Sequence, residues 1–158
     1  MKHITVLALT IATLSITLPA FGEDNPAPRV DTIVPGSDLD RLQGAWEGTE
    51  AGREAEGKCT LSITGKLLHF RGANNREWYE GTFELPEGSN PAQLKGTIKD
   101  CPAKEFIGKV SLAIFKIEDG TLTLVGHAPG DATAPKGFEG DATARTFIFK
   151  KAAPPTAK

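Results

Sequence analysis

Cysteine is scarce in this chain: Cys59 and Cys101 are the entire supply, which leaves room for one intramolecular bridge at most. Serine-nucleophile GxSxG, metalloprotease HExxH and a glycine loop ending in Lys-Ser are all missing, so the common hydrolase and phosphate-cradling arrangements are unavailable. Neither sign of charge dominates. The 18 basic and 20 acidic side chains give a formal net charge of −2 and form no long block, which argues against nucleic acid or an anionic membrane as partner, since both need a concentrated positive field. Long helical pattern is lacking too. Gly or Pro interrupts nearly every window from 44 to 108 before ten residues of 3.6 periodicity can accumulate.

The first twenty-two residues look like an export address. Lys2 and His3 start it, Ile4 to Leu18 carry no charge, and Pro19 precedes Ala20-Phe21-Gly22, a small-x-small cleavage site followed by Glu23. A membrane anchor would need ~20 apolar residues, and this run is about 15 and rich in Thr and Ser. Cleavage before Glu23 leaves 136 residues, enough for one domain with a core. The expected location is therefore periplasmic or extracellular, with no membrane span after cleavage. Oxidising compartments preserve disulfides, so a Cys59–Cys101 bridge is expected. Closing about 43 residues, it could contribute up to ~4 kcal/mol; the alternative is two buried thiols.

Residues 23–36 hold three prolines and a terminal glycine and read as a flexible leader, and 152–158 as a disordered tail. Ser37 or Asp38 can cap a helical turn through DLDRLQ, with Leu39 and Leu42 on one face and Gly44 stopping it. Strands and turns follow. Cys59, Leu61 and Ile63 alternate onto one face, Gly65-Lys66 turns the chain into LLHFRG, and Asp119-Gly120 sits between IGKVSLAIFKIE and TLTLVGH as a tight-hairpin signal. About eight strands with short connections predict an all-β antiparallel meander over 37–151, and curling it into a barrel removes both unpaired edges. A two-sheet sandwich would need longer crossings than most of these turns provide.

The pattern LQGAWEG at 42–48, EWYEGTFEL, AIFKIEDGTLTL, the Pro129-Gly130 pair, Pro135, Phe138 and the closing TFIFKK resembles an uncharacterised lipocalin-like domain family expanded in planctomycete bacteria. The resemblance covers roughly 40–151 and implies export and a barrel whose opening Trp46 packs across the closed end, with Arg145 of the final strand stacked on its ring. It implies no chemistry. Where that family often carries a Cys and an Arg-Pro pair, this chain has Val125 and Ala134-Pro135.

Site candidates in the residues themselves are few. His69 and His127 could join the two cysteines in a zinc site, but no spacing is of the short paired kind, so no metal and no cofactor is expected. Glu47, Glu50, Glu54 and Glu56 cluster and could supply paired carboxylates, yet Glu50, Glu54 and Glu56 flank a glycine-rich turn and read as solvated charge; Arg71 and Arg76 near Trp78 and Tyr79 could recognise a carboxylate or sugar and read as hairpin decoration. The long connection 127–141 repeats GDATA. Asp131, Glu139 and Asp141 there fit no EF-hand spacing, and a polar rim loop is the reading. What remains is a non-catalytic domain binding a small apolar or amphipathic ligand inside the barrel, the alternative being a cell-envelope interaction or inhibitor-like module with a filled barrel. Any activity is expected at the barrel's mouth or on the 127–141 loop.

Overall fold

The computed structural model describes residues 36–153 except 75 and 140. The expected signal peptide over 1–22, nearly all of the 23–36 leader and the end of the 152–158 tail lie outside the described residues. Ser37 caps α1 (Asp38–Leu42), its hydroxyl accepting from the Asp40 amide at 3.1 Å. Eight strands follow: β1 (Gly44–Glu50), β2 (Cys59–Thr64), β3 (Leu67–Arg71), β4 (Trp78–Glu84), β5 (Gln93–Asp100), β6 (Val110–Glu118), β7 (Thr121–Gly126) and β8 (Arg145–Lys151). Each pairs antiparallel with its neighbours in sequence, and β8 returns to β1 from Glu50↔Phe147 to Trp46↔Lys151, closing a meander barrel.

The β6–β7 turn uses the conformation its residues suggest, with Asp119 at φ 49° and Gly120 at φ 72°. The last strand begins only at Arg145. Asp141 is the reason: its carboxylate accepts from the Thr143 amide at 3.0 Å and the Thr143 hydroxyl at 2.7 Å, an Asx-type turn that holds 142–144 out of the sheet.

Meander topology sorts the connections between two ends. The β2–β3, β4–β5 and β6–β7 turns share one end with α1; connections 51–58, 72–77, 101–109 and 127–144 share the other. The α1 end is plugged. Trp46 is 1% exposed and its indole N–H donates to Leu42 O at 2.8 Å. Gln43 accepts from the Gly65 amide at 2.7 Å and donates to Gly65 O at 3.1 Å, tying α1 to the β2–β3 turn. Ile63, Phe83, Phe115, Leu122 and Phe149 fill the interior beside Trp46.

Two expectations are corrected here. The cation over the Trp46 ring is Lys151, 4.7 Å from its centre, and not Arg145. Register explains it, because Lys151 is the β8 partner of Trp46 while Arg145 begins β8 at the opposite end, roughly 20 Å away at strand rise. Cys59 and Cys101 are both buried and both free. They belong to β2 and the residue after β5, three strand steps or about 14 Å around the wall, beyond the ~7 Å a disulfide tolerates. The Cys101 thiol instead donates to Ala103 O at 2.9 Å, and burial pushes the Cys59 thiol above its ordinary pKa. Dithiothreitol is accordingly expected to leave the thermal midpoint unchanged, with both thiols reacting with Ellman's reagent on unfolding without reductant. A midpoint that falls on reduction would restore the bridge.

Candidate functional site

The barrel is packed at one end and hollow at the other. A cavity of about 260 Å³ lies toward that end, bordered by Phe106 of the 101–109 connection and by Pro129 and Thr143 of 127–144, and is lined mainly by apolar side chains, among them Phe70, Leu94, Ile98, Leu124 and Phe147. Its cause is a run of small inward residues on three adjacent strands. On β5, Gly96 sits between inward Leu94 and Ile98; across the pairing lie Ser111 and Ala113 of β6, and Ala113 faces Gly126 of β7. At the plugged end the same strands carry Phe115 and Leu122, so the hollow follows the taper of side-chain size from one end to the other.

Four aromatic rings, Phe70, Tyr79, Phe106 and Phe147, line this space. Phe70 stacks on Tyr79 with ring centres 6.2 Å apart and meets Phe147 edge-on at 5.1 Å. Burial, reinforced by the charge of Glu77, raises the Tyr79 pKa and keeps the phenol protonated as a hydrogen-bond donor.

Arg145 also lines the cavity, and its guanidinium is the centre of an ion triad. Its Nε donates to Glu50 Oε1 at 2.9 Å and its Nη2 to Glu50 Oε2 at 2.6 Å, while the Glu77 carboxylate takes Nη1 and a second bond from Nη2 at 3.2 Å. The guanidinium carbon Cζ lies 5.0 Å over the Phe147 ring. Hydrogen bonding to Arg145 outweighs burial and holds the Glu50 carboxyl below the usual range; the same bonds raise Arg145. Local sequence builds the triad from three connections: Glu50 ends β1 on its inward face, Arg145 starts β8, and Gly72 lets the Glu77 side chain fold back over it across a 2.8 Å backbone bond.

Glu50 thus corrects the solvated reading of its cluster. Glu47, Glu54 and Glu56 are not buried, whereas Glu50 is 8% exposed, the one buried charged residue among those described. The signal was available as parity: Trp46, Gly48 and Glu50 share a face, and Trp46 must point inward. Glu77 carried no comparable sign.

His127 begins the long connection. Its Nε2 is 2.7 Å from Asp141 Oδ2 and its Nδ1 2.9 Å from Thr133 O. The Thr133 carbonyl first, and then Asp141, raise its pKa; the Thr143 hydroxyl and then His127 bring Asp141 down to about 2. Asp141 therefore serves this side-chain cluster. His69 lies on the outer face of β3, 3.8 Å from Glu80. Among the described residues, no group of three or more His, Cys, Asp or Glu side chains is placed to hold a metal. No helix among them is long and apolar enough to cross a membrane.

No known family model matches the chain, and no curated protein matches it.

Proposed function

We propose that this chain is an exported lipocalin-like binding domain, akin to the planctomycete domains it resembles, which takes one small apolar or amphipathic molecule into the open end of its barrel. The cavity carries this reading. Its volume of about 260 Å³ lies between the ~150 Å³ that accommodates benzene and the ~300–1,000 Å³ of drug-sized sites, which suits a ligand of one or two rings or a short acyl chain.

Charge narrows the ligand further. Arg145 already faces two carboxylates, so an incoming anion meets a cluster of net negative charge, and an incoming amine meets the guanidinium that lines the wall. A neutral molecule with one hydrogen-bond acceptor, placed to reach the Tyr79 phenol, fits both constraints. Binding is favoured over catalysis because the ionisable groups at the mouth are committed to one another, Glu50 and Glu77 to Arg145 and His127 to Asp141. A general acid or base must instead reach a substrate proton.

Native mass spectrometry of protein recovered from its own cells should show added mass from a retained ligand. Filling the cavity tests the same point by subtraction. A Cβ at Gly96 meets only Leu94 Cδ2 at 3.7 Å and Ser111 O at 3.8 Å, so Gly96→Leu should fold with stability within about 1 kcal/mol of the parent and weaken binding of prodan, a neutral two-ring ketone dye, about tenfold or more. Undiminished affinity in the folded variant would move the site out of the barrel and favour the envelope-interaction reading.

A further inference from the structure

We infer that the 127–144 connection is a pH-operated latch on the cavity: charged His127 bolts segment 131–144 to a fixed edge of the mouth, and neutral His127 releases it for ligand exchange. The cargo rests on the binding reading above; the motion does not.

The fixed edge is the start of the connection. The His127 amide donates to Leu112 O at 3.3 Å and the Gly130 amide to Val110 O at 2.8 Å, so 127–130 continues along β6. The rest of the connection returns to β8 through Asp141 and Thr143. Both ends reach the cavity, since His127, Ala128 and Pro129 line one side of it and Thr143 another. The imidazole links them through side-chain bonds to Thr133 and Asp141 of the far segment, beside one backbone bond from the Asp131 amide to Ala128 O at 3.2 Å.

Both ring nitrogens face oxygen acceptors. A carbonyl and a carboxylate can only accept, so both bonds need an N–H and only the imidazolium has two. Loss of the proton to solvent turns one nitrogen's lone pair toward an oxygen. If Nδ1 keeps its hydrogen, Nε2 faces the Asp141 carboxylate, and the Thr143 hydroxyl, 3.4 Å from Nε2, can rotate its hydrogen from Asp141 to His127. Asp141 then loses two of its donors in one step. The latch is therefore closed on the acid side and opens as pH rises through the elevated His127 value.

The charged groups around the ring do not imitate this behaviour. Asp141 and Asp131 are the charges acting on His127, and Asp141, held down at about 2, stays ionised near neutrality. Arg145 of β8 is held by Glu50 and Glu77. Lys109, before β6, lies against Gly130, and Lys116 of β6 lies over the Phe138 ring at 5.2 Å.

The test measures dissociation of the neutral two-ring ketone dye prodan by stopped-flow fluorescence, together with hydrogen–deuterium exchange of 131–144 in the ligand-free protein, corrected for the intrinsic pH dependence of exchange. Between about pH 6 and pH 8.5, the parent should release the dye about fivefold faster or more and lose protection in 131–144. His127→Gln and Asp141→Asn should exchange fast at both pH values, and His69→Gln should behave as the parent. If the dye does not bind at all, the cavity reading fails, and the exchange data still decide the latch. Protection that does not change with pH in the parent, or that changes equally in His127→Gln, overturns it.

Discussion

Replacing Gly48 by alanine is expected to lower the unfolding midpoint by about 10 °C or more, the result of losing about 3 kcal/mol or more of stability. A Cβ there would sit 1.9 Å from Ile148 O and 2.7 Å from the Ile148 carbonyl carbon and Phe149 Cα. Backbone atoms cannot swing aside as a side-chain end can, so β8 must move away from β1. That pairing is the seam where the first and last strands close the barrel, and opening it exposes both as edges. Gly96→Ala is the matched control: its Cβ meets nothing closer than 3.7 Å, and removing a strand glycine should leave stability unchanged or raise it by about 0.5–1 kcal/mol. Thermal melts of the two variants check the contrast. Equal midpoints would mean that the seam is not in tight backbone contact.

The second large effect belongs to Arg145. Arg145→Met removes the guanidinium that lies over Phe147 and leaves the Glu50 and Glu77 carboxylates with no cation between them. Removing one partner of a buried pair typically costs ~3–5 kcal/mol. The Arg145 side chain is 39% exposed, so screening reduces the expected loss at pH 7 to about 2 kcal/mol. The pH dependence identifies the cause. Glu50 has a depressed folded-state pKa, so the stability it contributes is present above its unfolded value near 4.5 and is lost as pH falls through the lower folded value. In the variant that contribution is gone, and protonation relieves the two carboxylates. The gap between parent and variant should therefore close as pH drops below about 4.5, as followed by urea unfolding at several pH values. A gap that stays constant down to acid pH would assign the loss to packing instead of charge.

Much of the architecture was legible in the chain. Alternation of Cys59, Leu61 and Ile63, the Asp119-Gly120 turn and the Ser37 cap are local signals, each decided by residues within one turn or one strand of each other. Closure was legible only as an economy argument about edges. The site was far less visible. Its hollow comes from Gly96, Ala113 and Gly126, which are scattered over thirty-one positions and become neighbours only through the β5–β6 and β6–β7 registers. Glu50 and Arg145, ninety-five residues apart, meet for the same reason.

Periodicity and turn chemistry thus determined, from the sequence by itself, an all-β meander with a helical turn before it and a tryptophan at its start. The same reading supplies the expectation of export, through residues 1–22. Tertiary structure alone decided that Lys151 and not Arg145 covers Trp46, that Cys59 and Cys101 stay apart, that Glu50 is inside, and that the barrel is filled at one end and open at the other. The physical reason is the range of each interaction. Strand and turn preferences are set by a residue's own dihedrals and its immediate neighbours. Which side chains share an interior depends on how strands wrap around a closed wall, and one step of register exchanges every inward residue for an outward one.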